Sequence, residues 1–162
     1  MEKILISACL LGENVRYDGG NSLSLHPAIQ LWLKQKRVVP CCPEVLGGLP
    51  TPRAAAEITQ QHPTVITTAD GSDVTKMFQQ GADKALELVI KHRIRYALLK
   101  AKSPSCGNEQ IYDGQFNGQL IDGLGITAQQ LSDAGVQVFN ETQIEQLLTC
   151  LDSQQEPNTD SK

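Results

Sequence analysis

The stretch DVTKMFQQGADKALELVIKHRIRYALLKAK, Asp73–Lys102, decides the fold. In its first part Val74, Met77, Phe78, Ala82, Ala85 and Val89 fall on one stripe at helical spacing, which predicts an amphipathic helix over Asp73–His92. The apolar run Tyr96–Lys102 that follows reads as a strand. A helix feeding a buried strand is half of a β–α–β unit, and the same alternation extends in both directions. Towards the N-terminus, KILISAC (Lys3–Cys9) reads as a buried strand, HPAIQLWLKQK (His26–Lys36) as a helix with Pro27 in its first turn, and RVVPCC as a second strand. TVIT (Thr64–Thr67) reads as a short strand or as a β-ribbon arm with AAEIT, and EVLGGLPTPR as loop. Towards the C-terminus, the glycine-punctuated stretch from Ser103 to Gly125 reads as one long loop, a type that often carries function. A helix TAQQLSDAG with Thr127 as its N-cap, a strand VQVFN and a last helix ETQIEQLLTCL complete the order. Strands alternating with helices give an α/β class with a mostly parallel sheet flanked by helices. One domain is expected over residues 1–151, followed by a disordered polar tail, DSQQEPNTDSK, over 152–162.

Composition narrows the function. The chain has 162 residues, 40% hydrophobic and 20% charged, which is a globular composition. Net charge is −4 and aromatics are only 4%, so a long nucleic acid is not the expected partner. No stretch is long enough to cross a membrane, and MEKILISACLLGE is too short an apolar run for a signal peptide. A cytoplasmic protein is expected. Five cysteines in a reducing compartment are then core residues, metal ligands or reactive groups rather than disulfide partners.

Three of them are expected on one edge. Cys9 ends the first strand, Cys41 and Cys42 end the second, and Cys106 follows the strand that ends at Lys102. In an open parallel sheet, ligands bind outside the carboxyl ends of the strands. Adjacent Cys41 and Cys42 do not readily bridge to each other. Strand alternation sends them to opposite faces, and Cys42, next to the Pro-Glu-Val-Leu-Gly-Gly loop, is the one that faces the site. Cys150 shares an apolar helical stripe with Ile144, Leu147 and Leu148 and reads as core. Buried free cysteine packs like a small hydrophobe, so any one thiol taken alone is compatible with plain packing. Three thiolates with one open position suit either a zinc ion carrying a water or a [4Fe–4S] cluster with one iron unligated by protein. His26, His62 and His92 are scattered and read as structural or surface residues.

The polar company fits hydrolytic chemistry. Glu44 is placed to take a proton from water, and Ser103 and Ser105 flank Pro104 just before Cys106, where they either bond local backbone or act on a ligand. Gly47 and Gly48 permit close approach of a ligand, and Arg16 and Arg53, in the first two loops on this edge, offer forks of donors. Arg16, Gly47, Gly48, Arg53 and Ser105 are the candidate substrate contacts.

Three blocks, SACLLGENVRYDG (Ser7–Gly19), CPEVLGGLPTPR (Cys42–Arg53) and LLKAKSPSCG (Leu98–Gly107), resemble in sequence and order the bacterial thiouracil desulfidases, from about Lys3 to Phe139. The resemblance implies a single Rossmann-like domain carrying a [4Fe–4S] cluster on Cys9, Cys42 and Cys106, with Glu44 and Ser103 catalytic. Cys41 has no counterpart in that pattern. The implied reaction replaces sulfur by oxygen on a thiolated pyrimidine, as base, nucleoside or nucleotide. An iron left open would bind the thiocarbonyl sulfur, Glu44 would deprotonate water, and Ser103 would pass a proton, with no net redox change. An iron–sulfur redox or oxygen sensor and a zinc-dependent hydrolase of a small heterocycle are the alternatives. The zinc-deaminase pattern of His-x-Glu with Pro-Cys-x-x-Cys is absent.

Overall fold

The structure, a computed structural model, describes residues 1–155. Its centre is a four-stranded parallel sheet built from β1 (Ile4–Ser7), β2 (Val38–Cys41), β5 (Tyr96–Leu99) and β8 (Gln137–Asn140), in the order β2-β1-β5-β8. β1 and β5 are buried on both faces, which is why ILIS and YALL read as unbroken runs and not as alternation. Period two still sorts their side chains. Ile4, Ile6, Tyr96 and Leu98 pack against α1 (Pro27–Lys34) and α5 (Ile144–Gln155) through Ile29, Trp32, Leu147 and Leu151. Leu5, Ala97 and Leu99 pack on the other face against α3 (Thr75–His92) and α4 (Ile126–Asp133) through Ala85, Val89 and Leu131. Among the described residues, no helix is long and apolar enough to cross a membrane.

The two remaining strand pairs lie outside the sheet. β3 (Ala56–Gln61) and β4 (Thr64–Thr68) form the antiparallel ribbon that AAEIT and TVIT suggested. β6 (Gln110–Tyr112) and β7 (Leu120–Asp122) form a second antiparallel pair inside the stretch read as one long loop. At three residues each, these strands are too short to show a period. What pins the hairpin is Ile111, buried with Ile58, Ile66 and Phe78 in a satellite core between ribbon and α3.

Pro43–Leu46, expected as loop, is a single helical turn, α2, with Pro43 at its start, where a fixed φ and a missing N–H cost nothing. This turn lies backbone to backbone on α3. A Cβ at Gly47 would overlap the Met77 carbonyl oxygen, and one at Gly81 would overlap that of Pro43. Gly81→Ala therefore forces the two helices apart. It is expected to lower the unfolding free energy by about 1–3 kcal/mol, read by denaturant melts.

Two further expectations are corrected, the cap of α4 and the end of α5. The N-cap of α4 is Gly125, and Thr127, the second residue of the helix, is fully buried. α5 continues to Gln155, into the segment read as tail, and residues 156–162 lie outside the described residues. Cys150 is partly buried against the core beside α1. His26 caps α1 through Nδ1, which accepts from Ala28 N at 3.1 Å, and its Nε2 lies 3.0 Å from Glu145. His92 closes the last turn of α3, and His62 sits in the turn between β3 and β4.

Candidate active site

In sheet order the chain leaves β1 for β2 on one side and returns to place β5 on the other. The carboxyl ends of β1 and β5 are thus a topological switch point, where an open crevice forms. The backbone N–H of Lys100 donates to Ser7 Oγ at 2.9 Å and ties the two ends together. A cavity of about 400 Å³ opens here, within the usual range for small-ligand sites.

Each thiol arrives from its own strand. β1 runs into a 3-10 turn, Ala8–Leu11, stopped by Gly12 at φ +94°, and this turn carries Cys9. Cys42 sits at the N-cap of α2, directly after β2. Cys106 follows β5 after a turn closed by Ser103, whose Oγ accepts from Cys106 N at 2.7 Å. All three line the cavity. Cys9 and Cys106 are buried and Cys42 is half-buried. Cys41, 2% exposed, packs among Leu5, Val39, Leu99 and Cys106 and also lines the cavity.

Burial makes every one of these thiolates costly. It pushes the Cys9 thiol up to about 11, helped by the neighbouring Cys42 and opposed by Lys100 and Arg16. It raises Cys42, with Glu44 adding and Arg53 opposing, and it raises Cys106 well above the ordinary thiol value, with Cys41 and Glu44 adding. Cys41 is pushed to about 12. Thiolates here need a bound cation to be stable, and loading one releases protons. Among the described residues, no three His, Cys, Asp or Glu side chains are grouped as a single metal ion requires. One zinc would draw its thiolates to about 4 Å from one another, given Zn–S bonds of about 2.3 Å. Cysteine thiolates also hold iron–sulfur clusters, whose irons they ligate.

The first residue of α2 after Pro43 is Glu44. Its Oε1 accepts from Arg53 Nε at 3.1 Å, a largely buried pair. Burial raises the Glu44 carboxyl, and the Arg53 charge and hydrogen bond oppose that rise. Arg53 also donates to the Val15 carbonyl at 2.9 Å and to Pro50 O and Thr51 Oγ1 at 3.1 Å. Its fork is therefore engaged within the protein, holding Glu44 in place. Arg16 lines the cavity, donates to Ser22 Oγ at 2.6 Å and lies 3.7 Å from Asp18.

The structure does not bring Ser105, Gly47 or Gly48 to the cavity wall. Ser105 is fully buried, with its Oγ 2.8 Å from Thr127 Oγ1. Gly47 is required by its approach to α3, and Gly48 by φ +98°. Residues that the sequence reading passed over do reach the wall: Lys100, Lys102, Glu57 and Tyr112. Lys100 Nζ lies 2.6 Å from Glu141 Oε2, and Glu141 Oε1 accepts from Ala101 N at 2.8 Å, so a carboxylate beyond β8 fixes the lysine beside Cys9. The signal for the lysines was present in YALLKAK, where an apolar strand ends in two cations at the edge that binds ligands.

Comparison with known proteins follows the same outline. A family model described as 2-thiouracil desulfurase matches residues 4–143. An uncharacterized Bacillus subtilis (strain 168) protein, YbbK, is 39% identical over 152 residues, covering 90% of this chain and 99% of that protein. A solved structure described as a [4Fe-4S]-dependent thiouracil desulfidase, TudS, superimposes with a TM-score of 0.90 at 44% identity, covering 94% of this chain and 99% of the other.

Proposed function

The chain belongs to the 2-thiouracil desulfurase family, and on that premise we propose that it is a [4Fe–4S]-dependent desulfidase that converts a thiolated pyrimidine to its oxo form and releases sulfide. Cys9, Cys42 and Cys106 would hold the cluster. The observation that supports this reading is the meeting of these three thiols with Glu44 and Ser103 on one cavity at the switch point. When bound, the cluster supplies an iron without a protein ligand, a Lewis acid toward the thiocarbonyl sulfur.

The side chains supply the proton chemistry. Glu44, held by Arg53, accepts a proton from the water that attacks the ring carbon. Ser103 Oγ accepts from Cys106 N, so its own O–H remains available to donate into the cavity as the C–S bond breaks. Water adds an oxygen, sulfide departs, and no electrons are gained or lost. The substrate is a small thiolated base, nucleoside or nucleotide, and we assign the reaction to the cytoplasm, where thiols stay reduced.

Protein purified without air is expected to hold iron and acid-labile sulfide in near-equal amounts and to release uracil from a thiouracil. Zinc in place of iron, with no sulfide, would overturn the assignment. Arg53 gives a sharper check. Its charge lowers the Glu44 carboxyl, so Arg53→Met is expected to move the acid limb of the kcat profile to higher pH while iron content stays full. An unmoved acid limb would separate Glu44 from Arg53 in the mechanism.

A further inference from the structure

Glu57 lines the cavity, yet the proton chemistry above gives it no task. It stands on β3, and its Oε1 accepts hydrogen bonds from the backbone N–H groups of Gly114 at 3.0 Å and Phe116 at 3.2 Å. Both amides belong to the turn 113–119 that joins β6 to β7. The turn is shaped to present them. Asp113 N donates to Gln119 O at 3.0 Å across its neck, Asp113 Oδ1 accepts from Gln115 N at 2.9 Å, and Asn117 Oδ1 accepts from Gln119 N at 3.1 Å. Gly114 and Phe116 take φ of +89° and +56°. Phe116 is not a glycine, so its left-handed backbone has to be held by surrounding contacts. Amides curled in this way form a concave anion site, and here a carboxylate from the ribbon fills it.

The approach is close as well as charged. A Cβ at Gly114 would lie 2.6 Å from the Ile58 carbonyl oxygen, so turn and ribbon meet backbone to backbone. The same two elements form one wall of the cavity: Tyr112 at the end of β6, with Ala55, Ala56 and Glu57 at the start of the ribbon. We infer that Glu57 is a positioning residue, whose carboxylate, seated in the 113–119 turn, latches the β6–β7 hairpin to the β3–β4 ribbon. On the desulfidase reading, on which this inference rests, the latch sets the wall against which the thiolated ring lies.

A carboxylate that accepts two amide hydrogen bonds is held more strongly than a neutral acceptor. Its removal is expected to cost about tenfold to a hundredfold in the closed state of the wall. The test uses the loaded enzyme as Glu57→Ala, Glu57→Gln and Gly114→Ala. In Glu57→Ala, hydrogen-exchange protection at Gly114 and Phe116 is expected to fall by that factor. KM for thiouracil should rise about tenfold with kcat within about twofold, because the wall binds ground and transition states alike. Loss of the cluster absorbance in air should quicken. Gly114→Ala, which leaves the carboxylate intact, should reproduce all three effects, and Glu57→Gln, which keeps an acceptor oxygen, should restore most of them. Unchanged KM and air sensitivity in both Glu57→Ala and Gly114→Ala would reduce the contact to a local fold feature and end the proposal. A fall in kcat alone would end it too, by placing Glu57 on the reacting atoms. If the wild-type protein proves inactive on thiouracils, the desulfidase reading fails, and the bleaching rates of the variants still decide whether the latch closes the cavity.

Discussion

Cys42→Ser is expected to strip the protein of its cluster and its desulfidation together, whereas Cys41→Ala keeps both. The two thiols are neighbours in sequence, yet their surroundings differ. Cys41 is packed between the sheet and α3, and its removal costs about 1 kcal/mol of stability, as for a small buried truncation. Cys42 stands at the N-cap of α2 with its side chain on the cavity. Serine is a favoured N-cap, so Cys42→Ser removes the ligand and leaves α2 able to form. Iron and acid-labile sulfide per chain, measured without air on both variants, separate the two roles. Iron retained in Cys42→Ser and lost in Cys41→Ala would exchange the assignment of the adjacent thiols.

Glu44→Gln is expected to lower kcat by about a hundredfold to ten-thousandfold, the range for a positioned general base, with full cluster content. Glutamine still accepts the Arg53 hydrogen bond, so the loss reports proton transfer more than misplacement. The pH dependence carries a sign. A general base works deprotonated, and burial raises the Glu44 carboxyl. Wild-type kcat is therefore full at high pH and falls as pH drops through a value above the ordinary glutamate range. That limb should vanish in the variant. Near-normal turnover in Glu44→Gln would remove Glu44 from the mechanism.

Much of the frame was legible in the chain alone, for a physical reason. Burial on one face or on both leaves a period in the sequence. The stripe from Val74 to Val89 marks α3, and the unbroken runs ILIS and YALL mark strands covered on both sides. The order of these elements implies a parallel sheet, and a parallel sheet implies a ligand edge. That is enough to bring Cys9, Cys42 and Cys106 toward one place. Strand alternation predicts that Cys41 and Cys42 face opposite ways; in the fold both line the cavity, Cys41 at the end of β2 and Cys42 at the N-cap of α2.

What only the tertiary structure decided are contacts between segments that carry no period. β6 and β7 are too short to show one, and they are strands because Ile111 is buried against the ribbon and α3. Gly47 looked like a ligand-binding glycine. Its neighbour is α3, whose Gly81 lies far along the chain. Arg53 reaches the cavity as the sequence suggested, and its donors meet Glu44, Val15 and the Pro50–Thr51 loop. Ser105 turns inward to Thr127, and Lys100 is fixed by Glu141, a residue beyond the next strand. A side chain's type is written in the sequence, but its direction depends on which distant backbone it meets, and that is settled only when the elements pack.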